Sequence, residues 1–227
     1  MNLLMHWKLS ILLLAFLTLA IAGILFFTND ENMSQPNNLV SSTTTSVVID
    51  AVPTRYAASQ QIESKNALAE PIRDFRGRVT KKPFGIFIAK QNSPIEPERF
   101  SGYHTGIDVE YEDIANDVPV YAIAECEIVL SRIVSGYGGV VMISFELNGT
   151  THTALYGHIR PSSLPVVGEG YKKGDQLAVL GTGYSDETDG ERRHLHFAIL
   201  AGNSLNIKGY TQSESELSGW IDPLTIL

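Results

Sequence analysis

A single cysteine, Cys126, stands in 227 residues, so no internal disulfide can form and no cysteine cage can hold a metal. A metal site in this chain has to be built from His, Asp or Glu. Cys126 itself lies in the strand-like run "AIAECEIVL", where a buried thiol behaves as a small hydrophobe and not as a reactive group. Basic charge is also scarce. The 17 Lys and Arg are outnumbered by 25 Asp and Glu, for a net charge of -8. That balance excludes the basic face on which a nucleic-acid binder depends. Internal repeats and heptads are missing, which excludes solenoids and coiled coils.

Charge is missing altogether from Leu9 to Phe27, "LSILLLAFLTLAIAGILFF". At about 1.5 Å per residue this run is long enough to cross a bilayer core of about 30 Å. It reads as one N-terminal transmembrane helix over 9–27 that follows a cytoplasmic N-terminus at 1–8. The rival is a signal peptide cleaved near Ala20-Ile21-Ala22. Lys8 precedes the span and Asp30 and Glu31 follow it, which places the rest of the chain outside the cytoplasm. Residues 28–74 are rich in Asn, Ser and Thr and read as a low-complexity linker. From 75 to 227, short apolar runs alternate with turn residues: "PFGIFIA", "VPVYAIAECEIVLSRIV", "GGVVMISFEL", "THTALYGHI", "DQLAVLGTG" and "HLHFAIL". With no regular helix between them, they point to a mainly β domain, a compact antiparallel sheet or barrel-like packing. Asn148-Gly149 marks a tight hairpin turn between two of these runs.

Six histidines lie at 6, 104, 152, 158, 194 and 196. His6 precedes the apolar span. In a strand, residues i and i+2 share a face, so "HLH" turns His194 and His196 to one spot and Leu195 and Phe197 to the opposite layer. Taken alone the pair is weak evidence for a metal, because an exposed β-face can carry two histidines for no reason. "YHTGIDVEY" sets His104 and Asp108 four apart, with Gly106 allowing a tight bend. An imidazole and a carboxylate suit zinc, and the two stretches together offer three ligands with one position open. Glu110, Glu112 and Asp113 behind Asp108 read as solvated acids, a reading that suits Asp108 less because it shares its short loop with His104. His158 follows Gly157 at the end of a hairpin strand, where a ligand can approach closely. His152 falls roughly 20 Å from it at about 3.3 Å per residue and is set aside.

"HTGID", "YGHI" and "HLHF", in this order, resemble the lysostaphin-type (LytM-type) zinc metallopeptidases of peptidase family M23, over about Pro83 to Ile199. The resemblance implies a lysostaphin/LytM-type β-domain holding one zinc per chain. His104, Asp108 and His196 match its metal ligands, and His158 and His194 match its catalytic histidines. It implies a membrane-anchored zinc metalloendopeptidase that hydrolyses peptide bonds of peptidoglycan cross-links or a related envelope peptide. The alternative is a non-catalytic zinc-binding regulator or binding module that acts on another cell-wall hydrolase. "YSDETDGERR", before His194, is longer and more charged than the family's usual approach and is expected to form a loop at the rim of the groove.

Overall fold

The computed structural model describes residues 67–227. The anchor expected over 9–27 and the linker up to residue 66 lie outside the described residues. Among the described residues, no helix is long and apolar enough to cross a membrane. The strands are β1 (Phe87–Ile88), β2 (Gly102–His104), β3 (Ile107–Glu110), β4 (Pro119–Tyr121), β5 (Cys126–Val134), β6 (Gly138–Leu147), β7 (Thr150–Ile159), β8 (Gly170–Tyr171), β9 (Gln176–Val179), β10 (His194–Ala201), β11 (Tyr210–Thr211) and β12 (Trp220–Ile221).

The mainly β, antiparallel architecture expected from the apolar runs is what the chain adopts. β12, β10, β7, β6, β5 and β8 pair in that order, and β3 adds to the free edge of β10 to complete a seven-stranded sheet. The barrel-like expectation is corrected, because this sheet is open. β8 ends it with only two paired residues on β5, and one edge of β10 is divided between β3 and β12. The tight turn forms where Asn148-Gly149 predicts it. Both residues take positive φ, 52° and 75°, the conformation that suits the twist of a two-residue hairpin.

The central strands are apolar on both faces, and each face has its own core. From β10, Leu195, Phe197 and Ile199 enter the main core, while Ala198 and Leu200 enter a second cluster on the opposite face. β6 divides in the same way, with Val141, Ile143 and Phe145 on one side and Val140 and Met142 on the other. The short β4–β9 ladder covers the main core with Val120 and Ala178. Phe197 anchors its centre, meeting Phe75 and Tyr156 edge to face at ring separations of 5.8 and 5.0 Å. Leu68 and Ile72, within the stretch read as linker, also pack on this core. Their backbone is fixed there as well: the Ala69 N–H donates to the Ile123 carbonyl, and the Tyr121 N–H to that of Pro71. Cys126 is buried as expected, and burial pushes its thiol up to about 11, so it stays protonated and inert.

Candidate metal centre

Backbone pairing gathers the separated motifs. β3 runs antiparallel to the first half of β10, in a register that sets Asp108 opposite His196 and Glu110 opposite His194. On the other edge of β10, His196 faces Gly157 of β7. β2 delivers His104, whose pairing partner on β11 is Tyr210. The chain bends at Thr105 and Gly106 between β2 and β3, as the spacing suggests, and Gly106 serves the convergence in a second way. Its φ is not positive, but a Cβ there would run into the carbonyl oxygen of Phe197, so only glycine lets the chain pass this close to β10.

His104 Nε2, Asp108 Oδ1 and His196 Nδ1 form a nearly equilateral triangle. The two ring nitrogens are 3.1 Å apart, and the carboxylate oxygen lies 3.2 Å from His104 and 3.1 Å from His196. Bonds of about 2.0–2.1 Å to a tetrahedral zinc set its donors about 3.3 Å apart, so the triangle fits that ion. The hydrogen-bonding pattern agrees. His104 Nδ1 sits 3.2 Å from the Pro83 carbonyl, where it carries the proton and leaves the Nε2 lone pair to the triangle. Nδ1 of His196 faces the triangle in the same way, and with a cation held there its proton would sit on Nε2, a buried atom with no protein partner. The three residues are at most 3% exposed.

His194 and His158 stand beside the triangle, with ring centroids 4.1 Å apart. His194 Nδ1 lies 2.9 Å from the Arg192 carbonyl, which fixes the proton there and turns Nε2 toward Asp108 Oδ2 at 3.5 Å. His158 reaches the site through a β-bulge. The β6–β7 register slips so that Gly139 faces Ile159 and Val140 faces Gly157, leaving His158 unpaired with φ 60°. Plain alternation would have sent its side chain to the face of Tyr156. His152 stays apart, beside Phe145 at the far end of the hairpin.

Arg192 links the site to the wall behind it, and sequence reasoning did not single it out. Its Nη2 donates to Asp108 Oδ2 at 2.6 Å and to Glu110 Oε1 at 2.8 Å, and its Nε also donates to Glu110. Glu110 is therefore not the solvated acid its neighbourhood suggested. It is 8% exposed and held by Arg192, while Glu112 pairs with Lys81 and Asp113 with Arg78. The loop expected from "YSDETDGERR" does border the groove, contributing Glu191 and Arg192 to its lining. The groove has a volume of about 340 Å³, and Tyr137, Lys208 and Tyr210 also line it.

Burial opposes charge on Asp108, but the imidazoles of His194 and His104 and the Arg192 guanidinium outweigh it and hold the carboxyl well below the usual carboxylate range. Burial drives the histidines the other way. His158 is lowered to about 3, His194 well below its ordinary value, and His196 is lowered too. At neutral pH the site thus offers an ionised carboxylate at Asp108 and neutral imidazoles at His158, His194 and His196, the protonation states a cation requires.

The model of peptidase family M23 matches residues 102–207, a span that contains all five site residues. No curated protein matches the sequence. Among solved structures, LytU is 24% identical with a TM-score of 0.44, covering 66% of this chain and 84% of its own. SpoIIQ, from the SpoIIQ–SpoIIIAH pore-forming complex, is 19% identical with a TM-score of 0.48, covering 72% and 92%. A zinc-containing peptidase from Vibrio cholerae is 21% identical with a TM-score of 0.39, covering 60% and 37%.

Replacing Arg192 with Met would leave two buried carboxylates without their guanidinium. Urea denaturation should show a loss of about 3–5 kcal/mol, and a loss below about 1 kcal/mol would contradict the pairing. The acid response of the metal-free protein has a definite sign. An unfolded chain binds a proton at His158 near pH 6.5, whereas the folded chain binds it only near 3. Protons therefore favour unfolding in that window, and the melting temperature in chelator should fall as pH drops through it. His158→Leu should make the slope shallower, and an unchanged slope would place the proton elsewhere.

Proposed function

We propose, from the peptidase family M23 domain that residues 102–207 carry, that the protein is a zinc metalloendopeptidase cutting peptide bonds of peptidoglycan cross-links or a related envelope peptide. The observation that carries this reading is the donor triangle of His104, Asp108 and His196, with spacing suited to zinc and two more neutral imidazoles next to it. These three side chains would hold one zinc per chain. When bound, zinc supplies a polarising charge for the scissile carbonyl and acidifies water toward neutral pH.

The remaining chemistry belongs to the chain's own residues. His194 keeps its Nδ1 proton on the Arg192 carbonyl, so Nε2 is the atom that accepts a proton from the attacking water. His158, in contact with it, helps carry that proton to the leaving amine. Arg192 holds Asp108 by its outer oxygen and leaves Oδ1 for the metal. The groove accepts the peptide beside these side chains. On this reading the uncharged run 9–27 anchors the protein as a single-pass membrane protein with the domain outside the cytoplasm, facing its substrate.

Purified sacculi incubated with the zinc-loaded protein should release soluble peptide fragments. Chelator should abolish the release, added zinc restore it, and His194→Ala reduce it by about 10²- to 10⁴-fold. Intact sacculi at full zinc occupancy would overturn the peptidoglycan substrate. After alkaline carbonate extraction the full chain should remain in the membrane pellet, and its recovery in the supernatant would contradict a retained anchor.

A further inference from the structure

Among the described residues, five buried side-chain polar atoms lack a hydrogen-bond partner: Tyr137 Oη, His158 Nδ1, Glu191 Oε1, Arg193 Nε and His196 Nε2. Four of these five residues line the groove. The two histidines belong to the site already described, and Glu191 has the Arg99 guanidinium 3.1 Å away as an ion pair. Tyr137 has nothing comparable. A buried hydroxyl left without a partner costs about 1–3 kcal/mol, and phenylalanine would fill the same volume without that cost.

The ring of Tyr137 is held in place from several sides. It sits in the turn between β5 and β6, flanked by Gly136 and Gly138 at φ 88° and 73°. Two further glycines give way to it. A Cβ at Gly157 would meet the ring at 2.5 Å, and one at Gly209 would meet Oη at 2.7 Å. The position of a Gly209 Cβ is also 3.9 Å from Cε1 of His196, so the hydroxyl and that imidazole share one corner of the groove. The ring lies against both His158 and His196, at centroid distances of 5.3 and 5.4 Å. A phenol keeps its proton at neutral pH, so the hydroxyl is able to donate.

We propose that Tyr137 is a further catalytic residue of the peptidase reading, donating its hydroxyl hydrogen bond to the scissile carbonyl oxygen as that oxygen becomes negatively charged. In this step the water oxygen bonds to the carbonyl carbon, the carbonyl π pair moves onto oxygen, and the water proton passes to His194. Tyr137 retains its own proton throughout. A donor aimed at a developing oxyanion contributes most when the charge appears, so its loss falls on kcat and not on KM.

The test compares wild type with Tyr137→Phe, which keeps the ring in its glycine cradle. Cross-linked muropeptide dimers released from sacculi by a muramidase serve as soluble substrate. The variant should lose about 10²- to 10³-fold in kcat, with KM within threefold and zinc still bound at one per chain. A second measurement needs no turnover. Inorganic phosphate, a tetrahedral oxyanion, should bind the zinc-loaded variant at least about tenfold more weakly than wild type by calorimetry. A kcat within threefold of wild type, or a loss that tracks lost zinc, overturns the role of Tyr137 and leaves the peptidase reading standing. If zinc-loaded wild type cuts neither dimers nor sacculi, the peptidase reading fails and this inference fails with it.

Discussion

The pairing of β3 with β10 is the constraint on which the site depends. A β-ladder admits no gradual adjustment, because a slip of one residue turns every side chain to the other face. With Asp108 opposite His196 in the backbone register, a carboxylate and an imidazole stand 3.1 Å apart. The same register puts Leu195 and Phe197 into the main core, so the apolar packing that stabilises the sheet also fixes the donor geometry. Site and core are alternate residues of one strand.

Around that pair the electrostatics are arranged to keep a buried acid charged. Desolvation alone would neutralise Asp108, and a neutral carboxyl is a poor ligand. Arg192 is the permanent cation that prevents it, and Glu110 in turn holds the guanidinium in place from the next position on the same face of β3. The arrangement orders Asp108 before any ion arrives, since its outer oxygen already has a donor and its inner oxygen already points at the two imidazoles. Such support behind a ligand governs metal affinity nearly as much as the ligand does.

Much of this was legible in the sequence, wherever the signal was local. "HLH" obeys the period of two of a strand, and Asn148-Gly149 can hardly be anything but a tight turn. "HTGID" shows the His104 and Asp108 pair and the glycine at the bend between them, although the close approach of that glycine to Phe197 is not visible in it. Long-range features were not legible. The salt bridge from Arg192 to Asp108 joins residues 84 apart, and nothing in "ERRHLHF" distinguishes the arginine that turns inward. Glu110 looked solvated because it stands among acids, and only its place opposite His194 buries it. Leu68 and Ile72 lie in a stretch whose average composition is polar, and two well-placed apolar side chains are invisible to an average. The tyrosine of "SGYGG" reads as turn punctuation until the glycines that accommodate its ring are seen on other strands.

The bulge at His158 sets two demands against each other at one position. A left-handed backbone is comfortable for glycine and tolerable for asparagine, whereas a bulky ring strains it by about 1–3 kcal/mol. Sequence optimisation guided by folding robustness alone would therefore drift toward glycine here and improve the scaffold while it removed the imidazole that the proposed peptidase reading uses. On the proposed reading this residue marks the place where durability and turnover pull apart, and a hardened version of the domain would have to leave it alone.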